Sequence, residues 1–79
     1  MNQFERIVIK MIDSPVFLKS KKGDIVYRST PSIPQKRFQR KKGSNEIEIG
    51  LNSLDFYNTL TKGTEISKEE YYSFWPLPK

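Results

Sequence analysis

Apolar and polar residues change places quickly along this chain, in short runs broken by proline, glycine and pairs of lysines. Residues 4–12 (FERIVIKMI) set Ile7, Ile9 and Met11 at the period of two that a strand requires, with Val8 and Ile12 on the other side. That pattern predicts a first strand covered on both faces. Asp13-Ser14-Pro15 turns the chain, because proline lacks the N–H that a ladder needs and keeps the residue before it out of the helical region. Val16 to Ser20 and Asp24 to Arg28 follow as two short runs joined by Lys21-Lys22-Gly23. This is a hairpin signal, with Gly23 at a positive-φ position. Thr30 to Pro34, with two prolines, reads as an extended connector pinned to the core by Ile33.

The stretch from Gln35 to Leu51 changes character halfway. Lys36, Arg37, Arg40, Lys41 and Lys42 crowd around Phe38, and after Gly43-Ser44-Asn45 the chain alternates Glu-Ile-Glu-Ile. A second hairpin is predicted, its incoming arm basic and its outgoing arm facing the core through Ile47, Ile49 and Leu51. Asn52 is placed to cap a helix over Ser53 to Leu60, with Leu54, Tyr57 and Leu60 on its buried side and Lys62-Gly63 as its stop. Ser67-Lys68-Glu69-Glu70 has the spacing of a capping box, and Ile66 and Tyr71 stand at the staple positions. A helix from Lys68 to about Phe74 is expected, ended by Pro76, with an extended tail. The expected fold is a single small α+β domain, mainly β: a five-stranded antiparallel meander or SH3-like barrel with two short C-terminal helices.

Composition sharpens this picture. The 79 residues include no alanine, the best helix former, while isoleucine and the aromatics are abundant, which favours a sheet. There is no cysteine or histidine, so disulfides, thiolate or imidazole metal sites and histidine-based triads are excluded. Glu5, Arg6 and Lys10 interrupt the first apolar run, so neither a signal peptide nor a membrane span is expected, and a cytoplasmic protein is the default. The net charge of +5 is uneven: residues 1–45 carry 11 Lys/Arg and 3 Asp/Glu, the remainder 3 and 6. Such a chain can present a basic face to nucleic acid, an anionic membrane surface or an acidic protein.

Candidate chemistry follows from the charge. The two tips, Lys21-Lys22-Gly23 and Lys41-Lys42-Gly43, echo one another. If registry brings them to one end, they form a cationic clamp extended by Lys36, Arg37 and Arg40, suited to phosphate backbones, with Phe38 able to stack on an unpaired base. The competing reading makes the tip lysines ordinary solubility devices and Phe38 a core residue. Glu46 and Glu48, with Asp24, could in principle gather around magnesium, but their alternation with isoleucine reads more simply as a solvated strand face, and no metal, cofactor or enzyme activity is expected.

The second candidate surface is aromatic. Trp75 is expected to pack on the sheet, while Tyr72, Trp75 and Leu77 are the anchors a partner would use if the tail were exposed. In its shortness and its richness in lysine and isoleucine the chain resembles accessory proteins of low-GC bacteria and their phages, many of which bind and block a host or defence protein. That resemblance implies an inhibitor or adaptor. Two functions are therefore expected in order: a basic, non-catalytic nucleic-acid-binding module, or a protein-binding modulator that docks its aromatic C-terminus or basic face.

Overall fold

Asn2 accepts a hydrogen bond from the Glu5 backbone N–H at 2.8 Å and caps a helix where the alternating pattern predicted a strand. This helix, α1 (Gln3–Met11), buries Ile7 and Met11 with Phe4 packed beside them. A helix forms because Phe4, Ile7 and Met11 fall three and four apart, one face of a 3.6-residue period, and this stripe outweighs the β preference of Ile and Val. The structure is a computed structural model that describes residues 2–31, 35–41 and 44–74; the expectations for Ile33, Lys42, Trp75, Leu77 and the tail fall outside them.

The first hairpin forms as expected from β1 (Val16–Lys19) and β2 (Ile25–Thr30), with Gly23 at φ 79° in its turn. Next come β3 (Lys36–Lys41) and β4 (Ile47–Ile49), antiparallel to one another. Helix α2 (Leu54–Lys62) is capped by Ser53, one residue beyond the expected Asn52. It ends at Gly63, which is needed for close approach rather than for φ: a Cβ there would collide with the Lys19 carbonyl oxygen. A strand that the sequence pattern had not suggested, β5 (Thr64–Ile66), then pairs antiparallel with β1, and α3 (Lys68–Ser73) closes the described chain. The Ser67 hydroxyl accepts from the Glu70 N–H at 3.0 Å as the capping box requires, while the Glu70 carboxylate reaches Lys19 at 3.0 Å.

The result is a five-stranded antiparallel sheet in the order β4-β3-β2-β1-β5, with three short helices. It is open, not a closed barrel, because its ends are the separate strands β4 and β5. Strand alternation divides the core in two. On one face α1 and α2 bury Ile7, Met11, Phe56 and Leu60 against Val16, Leu18 and Tyr27. On the other α3 presses Tyr71 onto Phe17 and Val26, flanked by Ile66 and Phe74.

Several expected core positions are displaced. Ile49 packs against the core, but Ile47 and Leu51 are exposed, since β4 is an end strand of the sheet. In α2, Phe56, Thr59 and Leu60 are buried, so Leu54 and Tyr57 are turned to solvent. Phe56 sets this rotation by meeting the Tyr27 ring edge-on, centroids 5.5 Å apart.

Candidate nucleic-acid interface

Registry decides where the lysine tips lie. Lys19 pairs with Val26, Ile25 with Lys41 and Gln39 with Ile47, so the β1–β2 and β3–β4 turns leave the sheet at the same end. Pairing of Lys19 with Thr64 brings the last turn of α2 there too, which adds Lys62. Lys21, Lys22, Lys41 and Lys62 are exposed and join no ion pair among the described residues. The first turn is firmly built, with Gly23 N–H donating to the Ser20 carbonyl at 2.9 Å and the Ser20 hydroxyl to Asp24 at 3.1 Å. Between this turn and α2 is a cleft of about 260 Å³ lined by Lys21, Lys22, Lys62, Asp24, Asp55 and Asn58, among others. A second hollow, about 280 Å³, lies among Gln39, Lys41, Ser44, Asn45 and Ile47.

The basic arm does not stay together. Successive residues of β3 point to opposite faces, so Arg37 goes beneath α2 and Arg40 beneath α3. The Arg37 guanidinium lies 4.4 Å from the Phe56 ring centroid, donates to Gln35 at 3.1 Å and to the Leu51 carbonyl at 2.9 Å, and has its pKa lowered by burial. Arg40 is only 7% exposed and donates to the Tyr71 carbonyl at 2.8 Å. Phe38 is half-buried under the Arg28 guanidinium, 4.2 Å from its ring centroid. Lys36 is exposed, but at the opposite end of β3, about 17 Å from Lys41 at strand rise. Of the seven described positions among the eight read as one clamp, the structure gathers Lys21, Lys22 and Lys41. Lys62 joins them without any local signal, since only the return of β5 to β1 carries it there.

The other cluster that sequence reasoning missed joins distant segments. Arg28 grips Glu46 with two hydrogen bonds, 3.1 and 2.8 Å, and the Tyr71 hydroxyl donates to the same carboxylate. Burial alone would push the Glu46 pKa up, but the hydrogen bonds from Arg28 and Tyr71 and the positive charges of Arg28 and Arg40 hold it below the ordinary value. Burial, reinforced by the Glu46 carboxylate, pushes the Tyr71 pKa well up. Glu46 is thus a latch between the sheet and α3. Nearby, Tyr72 is about half exposed, its ring 5.0 Å from that of Tyr71 and 6.2 Å from that of Phe17.

Fold and site together define a small open-sheet α+β protein with lysines concentrated at one sheet end. No family model matches the chain, and neither a curated protein nor a solved structure matches it. Among the described residues, no helix is long and apolar enough to cross a membrane.

Proposed function

We propose that this protein is a non-catalytic module that meets the phosphate backbone of nucleic acid with the hairpin end of its sheet. One observation carries the reading: the Ile25–Lys41 pairing that puts both lysine tips at one end, where Lys62 joins them. Four flexible ammonium groups on a rigid edge suit a polyanion because each phosphate neutralised releases condensed counterions. Asp24 and Asp55 share the cleft, so the backbone runs along the lysine rim and does not enter the floor. Lysine at a turn senses charge and not base edges, so recognition is independent of sequence.

The test is binding to single- and double-stranded DNA and RNA as a function of salt. For four cations on a duplex, the slope of log K against log salt should be about −3 to −4, and Lys21→Gln with Lys22→Gln should flatten it by about 2. Lys36→Gln, at the far end of β3, should leave it unchanged. No association with any of these nucleic acids at about 50 mM salt removes the proposal.

A second reading, a modulator that docks on a partner protein, draws support from the exposed ring of Tyr72 beside Phe17 and Tyr71. Capture from a lysate separates the two. A protein retained after nuclease treatment and lost with Tyr72→Ala favours the second reading, and loss of all bound material on nuclease treatment favours the first.

A further inference from the structure

The outer surface of the α1–α2 pair carries a feature unrelated to the lysines. The two helices run antiparallel and are tied at both ends. At one end the Gln3 side chain donates to the carbonyls of Leu60 and Gly63, at 3.3 and 2.8 Å. At the other, a relay links the Met11 carbonyl through Gln35 and Arg37 to the Leu51 carbonyl, just before α2. Between these ties Phe4 meets Tyr57, ring centroids 5.3 Å apart.

Phe4, Val8 and Ile12 are four apart and share one side of α1, the side turned to Tyr57. Leu54 lies one turn before Tyr57 on α2, and Leu51 precedes it. Val8, Ile12, Leu51, Leu54 and Tyr57, all exposed, therefore line the outward side of the helix pair as an apolar strip, with Ile9 on its outer flank. Ile12 is 74% and Leu54 77% exposed. Arg6 and Lys10 are drawn away from it, towards Glu65 of β5, and Glu5 and Asp13 stand at its margin.

We propose that this strip is the contact surface of a homodimer. Its area and composition match what such an interface needs. The exposed parts of its six large side chains amount to on the order of 500–600 Å², the upper end of the largest apolar patch on a monomer. A standard interface takes about 800 Å² from each partner, and a homodimer interface is about 65% apolar, which asks for roughly 520 Å² of apolar surface per copy. The strip supplies that amount, with an apolar centre and charges only at its edge, as a self-complementary interface requires. A second copy brings the same helix pair, so two-fold pairing covers both strips at once.

Salt gives the association a signature opposite to that of phosphate binding. Each copy carries +5, so the copies repel at long range, and screening should tighten an apolar dimer whereas it weakens a nucleic-acid complex. The experiment is sedimentation equilibrium of the full chain from about 1 to 500 μM, at about 0.05 and 0.5 M salt. The expected result is a dimer whose Kd falls with salt and rises at least about tenfold in Ile12→Glu and in Leu54→Glu. Both side chains are largely exposed, so the variants should keep the far-ultraviolet circular dichroism and melting behaviour of the parent, which checks that they fold. A monomer throughout overturns the proposal. So does a dimer indifferent to both substitutions, one that weakens with salt, or one lost instead in Tyr72→Ala, on the opposite face of the sheet.

Discussion

On the α1–α2 face of the sheet, seven buried side chains from two helices and two strands close on one another, and Arg37 is the cation drawn over Phe56. On the α3 face the buried apolar set is Phe17, Val26 and Tyr71, and a six-residue helix is also held by Arg40 and by Glu46, which Arg28 grips in turn. The contrast has a size cause. A helix of six residues cannot present enough apolar stripe to secure itself, so polar groups that are expensive to bury are brought in and satisfied together. The first face draws on non-directional burial, whereas the second needs particular partners and a particular charge state.

The largest effect should come from the first face. Phe56→Ala removes the ring that meets Tyr27 and carries Arg37, and should cost about 3–5 kcal/mol in a denaturant melt. A cost below that of any single change on the α3 face would reverse the ranking of the two faces.

Glu46→Gln sharpens the comparison, because it keeps the shape of the latch and removes its charge. With Arg28 and Tyr71 left without the carboxylate, a loss of about 1–3 kcal/mol at neutral pH is expected. The folded-state pKa of Glu46 is lowered, so its contribution is present above the unfolded value and is lost as pH falls through the folded one. The gap between the native protein and the variant should therefore close on acidification. A gap that stays constant to about pH 2 would show that the charge contributes nothing and that shape alone holds α3.

The smallest effects concern single hydroxyls, one on each side. Ser67→Ala deletes the cap of α3 and should cost about 1 kcal/mol. Ser29, on the α1–α2 face, is buried and its hydroxyl has no partner among the described residues, so Ser29→Ala should lie within about 0.5 kcal/mol of neutral or stabilise slightly. Equal losses from the two would remove the distinction between a satisfied and an unsatisfied hydroxyl.

Features whose physics is complete within four or five residues were legible beforehand. The Lys21-Lys22-Gly23 turn needs only a glycine that tolerates positive φ, and the Ser67–Glu70 cap only a hydroxyl three residues before an N–H. Residues 3–11 were legible too, through Asn2 as cap and the Phe4-Ile7-Met11 stripe, but Ile7, Ile9 and Met11 also satisfy a period of two. Two periods competed over nine residues, and β-branched content pointed to the wrong one.

What the sequence alone determined is thus local: where the chain turns, where two of its helices begin to within a residue, which strands form the first two hairpins, and that lysines sit at both tips. Tertiary structure decided the rest. It made Thr64 to Ile66 a strand, for three residues have no strand identity until β1 offers its open edge. It took Arg37 and Arg40 out of the basic arm onto opposite faces, gathered Lys62 with the tip lysines, and turned Leu54 outward while Phe56 went in. In each case the outcome depends on which distant surface a side chain meets, because burial and ion pairing are properties of two surfaces brought together and neither surface carries its partner in its own sequence.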